Sequence, residues 1–217
     1  MSTPANLKTW LVLHLTWDVS GTTAYDASGN GNNGTLVNSP TVIRNNIQKG
    51  FSFNGSTNKI ALPNPMPALW SNFTISFWIK YVDTTPRWLI RVWKSYNTGY
   101  NWWDLLVDTN TLNFRSAYLS TVDNSTWLNF FTSWTWHHIV ATYNWSLFKW
   151  FLNWVEKVSL SRTWTISWIW DSNNWIGLPL WADVTNYYNW NIGNLRIYNR
   201  ALTPDEIRQI YHSEFIK

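Results

Sequence analysis

Residues 73–82 (FTISFWIKYV) alternate strictly, so that Phe73, Ile75, Phe77, Ile79 and Tyr81 share one face while Thr74, Ser76, Trp78 and Lys80 take the other. A period of two with one apolar side predicts a strand buried on one face. Similar short runs bounded by turn-forming residues occupy 11–16, 50–53, 59–62, 88–94, 104–108, 112–118, 136–143, 147–152, 155–160, 175–178 and 191–198. Short strands with turn residues between them predict an all-β protein, a two-sheet antiparallel jelly-roll sandwich whose strand edges are short and protected. One helix is signalled, at the C-terminal end. Thr203 can cap it, Pro204 suits its first position and Glu206 closes a capping box. Ile207, Ile210 and Tyr211 stand at helical spacing, which would lay the helix against the sandwich as far as about His212. With no linker, repeat or low-complexity stretch, residues 1–9 read as an N-terminal tail and 10–217 as one jelly-roll domain.

Composition narrows the classes of function. Charged residues make up 13% and apolar residues 45%, which suits a folded core and not a disordered chain. The net charge of +4 is scattered, with Arg87, Arg91 and Lys94 as the one modest cluster, so no nucleic-acid partner is expected. The absence of cysteine excludes disulfides, thiolate metal sites and a cysteine nucleophile. No apolar run approaches the ~18 residues of a membrane helix, and the start, MSTPAN, does not read as an export signal. Membrane insertion is therefore not expected.

Tryptophan changes the picture more. Twenty Trp stand beside nine Gly, although Gly normally supplies about 7% of residues and a turn-rich β-protein needs it. Five Asn-Trp pairs (101–102, 144–145, 153–154, 174–175 and 189–190) fall where Asn-Gly would be a strong hairpin signal. A type I′ turn needs positive φ at both central residues, which an indole-bearing residue adopts only with strain. Trp10, Trp134 and Trp181 also precede patterned stretches where Gly would read naturally, whereas Trp78 and Trp136 sit inside patterned strands. The expectation is that many of these Trp are UGA codons read as Gly in the source and recoded as Trp. A surface rich in indole for stacking on sugars is the competing explanation.

Several strings occur in order across the chain: LVLHL at 11–15, YDASGNGNNGTL at 25–36, FSFNG at 51–55, FTISFWI at 73–79, WHHIVATY at 136–143 and LRIYNRALT at 195–203. Together they resemble the laminin-G-like, concanavalin A-like lectin/glucanase jelly-roll family over about residues 10–211. The resemblance implies the sandwich fold and an extracellular or cell-surface location. It does not select a ligand, because this fold hosts lectins, adhesion modules and glycanases.

Candidate chemistry is sparse. A retaining glycanase needs two carboxylates ~5–5.5 Å apart, and the Glu-x-Asp-x-x-Glu type of string is absent; the chain's glutamates are Glu156, Glu206 and Glu214. Asp104 and Asp108 share a strand face but are four residues apart. His137 and His138 are strand neighbours pointing to opposite faces, so they cannot grip one ion together; one buried and one exposed is the expectation. Neither a nucleophile elbow nor a phosphate-binding glycine loop is present.

Two binding features remain. Residues 26–33 gather a carboxylate, amides and glycine-freed carbonyls of the kind Ca²⁺ prefers, and related domains hold Ca²⁺ near this loop. By that resemblance Asp26, Asn30 and Asn194 are the calcium candidates, although Asn54, Asn58, Gly193 and Asn194 stand where relatives commonly carry acids. Calcium is accordingly an optional cofactor and none is required. For glycan contact, the loop residues Tyr96, Asn97, Tyr100, Asn101, Tyr187 and Tyr188, with Asn186 and Asn189 beside them, offer rings for sugar C–H faces and amides for hydroxyls. The sequence reads as a non-enzymatic module binding a glycan or a surface protein, with a structural domain of a surface appendage or virion, or a divergent glycoside hydrolase, as alternatives. Nothing in it sets an oligomeric state.

Overall fold

The computed structural model describes residues 7–44, 49–54, 57–63, 72–81, 87–93, 101–108, 111–118, 121–129, 132, 134–161, 174–177 and 190–215. The first eight strands are β1 (Leu11–Ser20), β2 (Thr23–Asp26), β3 (Gly34–Val37), β4 (Thr41–Arg44), β5 (Lys49–Ser52), β6 (Lys59–Ala61), β7 (Asn72–Tyr81) and β8 (Arg87–Trp93). They are followed by β9 (Asn101–Asp108), β10 (Thr111–Tyr118), β11 (Thr121–Asn129), β12 (Trp136–Asn144), β13 (Leu147–Leu152), β14 (Val155–Ser161), β15 (Trp175–Ile176), β16 (Trp190–Tyr198) and the helix α1 (Pro204–Phe215).

The described strands other than β4 and β5 form one antiparallel path that folds into two layers, and β4 pairs with β5, which joins β16 off that path. The first layer has the order β14-β13-β12-β7-β16-β1 and the second β2-β3-β6-β15-β8-β9-β10-β11, joined through the β1–β2 pair. A register shift between Gly193 and Arg196 divides β16, so that its first half pairs with β5 and its second half with β1. Gly50 permits this close approach: a Cβ there would stand 2.7 Å from the Gly193 Cα. Between the layers, Leu13, Leu15, Ile75, Phe77, Ile79, Ile139 and Ile197 from one side meet Leu36, Ile60, Ile90 and Ile176 from the other in a continuous core. The architecture is the predicted sandwich with one C-terminal helix.

Several local expectations change. The short strands β2, β3, β4 and the polar β11 (TVDNSTWLN) are additional, because four residues or a run without apolar alternation leave no periodic signal. The run at 175–178 shortens to two residues, ending at Gly177 with φ +89°. The expected polar face of β7 is buried at Thr74, Ser76 and Trp78, since α1 covers that side. His138 is buried on that same side, and His137, on the opposite face of its strand beside Ile79, is buried as well, where one of the two was expected to be exposed. A second apolar cluster seals the helix to the sheet through Val140, Phe151, Tyr198, Leu202, Ile207 and Ile210. Leu7, inside the stretch read as a tail, is fully buried in that cluster.

The capping box forms as predicted: Thr203 N–H donates to Glu206 Oε2 at 2.9 Å, and Glu206 N–H donates to Thr203 Oγ1 at 3.3 Å. The helix then runs three residues beyond His212.

The Asn-Trp pairs divide into two kinds. Asn153 and Trp154 both have positive φ, +46° and +66°, as the two-residue hairpin between β13 and β14 requires. Trp145 (φ +65°) turns the chain between β12 and β13, and Trp134 (φ +64°) precedes β12. All three indoles are exposed, by 68% at Trp134, 58% at Trp145 and 38% at Trp154. In the other three pairs the tryptophan belongs to a strand. Trp102 lies within β9, Trp175 begins β15, and Trp190 begins β16 with its ring buried in the core.

Candidate functional site

The loop after β2 is organised by Asp26. Its Oδ1 accepts from the N–H groups of His14 and Ser28, both at 2.9 Å, and its Oδ2 accepts from Ser28 Oγ at 2.7 Å and Asn32 N–H at 2.9 Å. A carboxylate offers about four lone-pair positions, and all are used by the protein. Asn30 and Asn32 turn their Nδ2 groups to the Leu11 and Val12 carbonyls, so these amides act as donors that tie the loop to β1. Asn194 stands on β16, across β1 from the loop, with its side chain buried. Asp26, Asn30 and Asn194 therefore do not fit a calcium shell: a cation at Asp26 would have to displace the donors that shape the turn. Among the described residues no group of three His, Asp or Glu side chains could hold a metal ion.

The glutamates are each engaged by a basic side chain. Glu156 meets Lys149 Nζ at 2.8 Å, and Glu206 takes both Nη atoms of Arg200 at 2.6 and 2.7 Å, a fork that holds its carboxyl below the usual range. Glu214, in the last turn of α1, is buried with Arg196 and also accepts from Trp78 Nε1. Burial pushes the Glu214 carboxyl up, while Arg196 pulls it down.

Around that pair the sheet presents a buried polar layer. His138 Nε2 lies 2.8 Å from Ser76 Oγ and its ring stands 5.2 Å from that of Trp78, which stacks on Tyr211 of the helix at 5.5 Å. Burial first and Arg196 second hold His14 down at about 2 and His138 at about 3, so both are neutral near pH 7. On the other side of β12, His137 reaches the Thr132 backbone at 3.3 Å. The two histidines serve different neighbourhoods, as their strand positions predicted.

Asp104 and Asp108 lie on β9, opposite Arg115 and Thr111 of β10 respectively. Four residues of strand separate them by ~13 Å, beyond the spacing of a glycosidase pair.

Tyr96, Asn97, Tyr100, Asn186, Tyr187, Tyr188 and Asn189 lie outside the described residues, and Asn101 is the first residue of β9.

The two outward faces of the sandwich differ. That of the first layer is covered by α1. On the second layer Trp175 is half-buried, with Lys59 Nζ 3.7 Å from its ring centre, and Lys59 is lowered by burial. Sequence reasoning missed this face because it is assembled by β15, a two-residue strand inserted between β6 and β8 from a distant part of the chain.

Comparison with solved structures gives the same fold. The receptor-binding domain of botulinum neurotoxin C/D mosaic serotype matches with a TM-score of 0.76 at 17% identity, covering 97% of this chain and 52% of that one. The serotype D ligand-binding domain in complex with N-acetylneuraminic acid matches at 0.77 and 18%, covering 99% and 53%. This chain thus spans about half the length of those toxin domains. Domain 4 of AbnA, a GH43 extracellular arabinanase from Geobacillus stearothermophilus in complex with arabinotriose, matches at 0.73 and 21%, covering 93% of this chain and 98% of that domain. No curated protein sequence matches the chain. A family model described as the concanavalin A-like lectin/glucanases superfamily matches residues 54–208, most of the sandwich and the start of α1, and the chain belongs to that superfamily.

Proposed function

We propose that this domain is a non-catalytic carbohydrate-binding module of an extracellular or cell-surface protein. The observation that carries this reading is the end-to-end fit with arabinanase domain 4, a whole domain determined in complex with arabinotriose. The chemistry agrees: the glutamates are spent on Lys149, Arg200 and Arg196, and Asp104 and Asp108 are too far apart to act as a glycosidase pair. A rigid two-layer core carries the loops, and the glycan contacts assigned to it are Tyr96, Asn97, Tyr100, Asn101, Tyr187 and Tyr188. No cofactor is needed for this role.

A glycan array followed by calorimetry tests it. The expected result is binding to at least one glycan class with no release of reducing ends from polysaccharides. A chain that binds no glycan and self-associates on sizing favours the structural-domain reading. Turnover abolished by Asp104→Ala or Glu156→Ala would make it a hydrolase instead.

A further inference from the structure

We infer that Trp134, Trp145 and Trp154 are glycines in the protein as its source organism makes it, each encoded by UGA and read there as glycine. Their φ values of +64°, +65° and +66° lie in the left-handed region, which glycine occupies freely and a bulky residue only with strain. Among the described residues the other non-glycine positions of this kind are Asn38, Ser39, Asn153 and Asn194. Asparagine tolerates the region because its short polar side chain hydrogen-bonds locally, and tryptophan has no such group.

The three positions close three different turns, and each turn calls for glycine by its own geometry. Thr135 N–H donates to the Thr132 carbonyl at 3.4 Å, so Trp134 is the third residue of a four-residue turn, where a positive φ selects Gly or Asn. Ser146 N–H donates to the Asn144 carbonyl at 2.8 Å across Trp145 alone, and a three-residue turn with positive φ at its centre is the rare, strained form. Trp154 follows Asn153 in the two-residue hairpin that pairs Leu152 with Val155. The side-chain bonds around the last two turns come from their neighbours. Asn144 Oδ1 accepts from Leu147 N–H at 3.0 Å, Asn153 Oδ1 accepts from His138 N–H at 2.9 Å, and the Tyr143 hydroxyl donates to the Trp145 carbonyl at 2.9 Å. None of these bonds uses an indole, so all survive its removal.

The three rings are exposed and belong to neither core cluster. Trp154, the least exposed, lies 6.0 Å from the His212 ring. Nor do they make one surface for stacking on sugars. Asn153 places Trp154 at the start of β12 beside Trp134, whereas Trp145 follows its end, nine strand residues or ~30 Å away. Trp78, Trp136 and Trp150 are of another kind. Trp78 donates to Glu214 and stacks on Tyr211, Trp150 is fully buried with its ring edge-on to Phe148, and Trp136 begins β12 with Lys80 Nζ 5.8 Å from its ring centre.

Sequencing the gene, together with peptide mass spectrometry of the protein isolated from its source, tests the inference. UGA at codons 134, 145 and 154, UGG at 78, 136 and 150, and glycine in the peptides that span the three turns are expected. UGG throughout overturns it, as does a UGA codon whose peptide contains tryptophan, since that organism would read UGA as Trp. The chain carrying Trp134→Gly, Trp145→Gly and Trp154→Gly together is expected to unfold at a higher urea concentration than the unaltered chain, and a lower midpoint overturns the assignment. Trp150→Gly, which empties a core position, is expected to lower the midpoint. On a glycan array the triple-glycine chain is expected to keep the pattern of the unaltered one. A glycan lost with the three indoles overturns the assignment and makes them sugar contacts, which leaves the carbohydrate-binding role standing.

Discussion

Asn153 and Trp154 are the residues at which local chemistry was most legible. A two-residue hairpin dictates positive φ at both positions whatever the rest of the fold does, and both have it. The left-handed conformation costs a non-glycine residue ~1–2 kcal/mol, and glycine's extra chain entropy returns ~0.5–1 of that. Each Trp→Gly at 134, 145 or 154 should therefore stabilise the fold by about 0.5–1 kcal/mol, read from urea unfolding. Trp190 was not legible in this way: its Asn-Trp pair looks like a turn in sequence, but tertiary packing makes it a strand start with a buried ring. At Asp26 the composition pointed to an ion, while the structure turns the same oxygens to four protein donors. Asp26→Asn exchanges an acceptor oxygen for an N–H₂ group and should cost about 1–3 kcal/mol. Millimolar Ca²⁺ should leave the thermal midpoint of the unaltered chain in place, whereas a site saturated a hundredfold would add ~2.7 kcal/mol.

Helix α1 shows what an element adds to its sequence signals. The capping box at Thr203 and Glu206 was readable from four residues, and Thr203→Ala should cost ~1 kcal/mol. What the helix covers was not readable, because the polar side of β7 and β12 looks like an ordinary solvent face. Glu214 enters that covered layer with Arg196 and Trp78. Glu214→Ala leaves the Arg196 guanidinium buried without its anion and should cost about 3–5 kcal/mol in urea unfolding. The same layer makes stability sensitive to acid. His14 and His138 have folded values of about 2 and 3, far below their ordinary 6.5, so the unfolded chain takes up protons first as pH falls. Their contribution is complete above pH ~6.5 and is lost below it at ~1.4 kcal/mol per pH unit for each histidine. Glu214, pushed up by burial, works in the opposite direction as it gains its proton. Unfolding free energies measured at pH 7 and pH 5 should show the net loss, and His138→Gln should flatten the slope.

At the scale of the molecule, the two layers share one core and one continuous strand path, so the chain should unfold in a single cooperative transition seen equally by far-UV dichroism and tryptophan fluorescence. The two layers are asymmetric. One sheet carries a helix on its outer side, and in the other the backbone register runs from Trp175 to Arg91, Asp104 and Arg115 on successive strands. Three of those residues come from consecutive strands, and the fourth arrives more than fifty residues later in sequence.

The amino-acid sequence by itself determined the all-β class, most strands, the helix with its cap and the turns at Trp145 and Trp154. Each of these rests on interactions between residues a few positions apart, where side-chain alternation and backbone φ leave a local imprint. Only the tertiary structure decided which sheet face is sealed, that Asp26 serves the turn, that Glu214 and Arg196 meet, and that Trp175 joins Arg91 and Asp104. Those outcomes depend on strand order and on which element covers which face, and the free energy that selects them comes from burial spread over the whole core, which no single segment records.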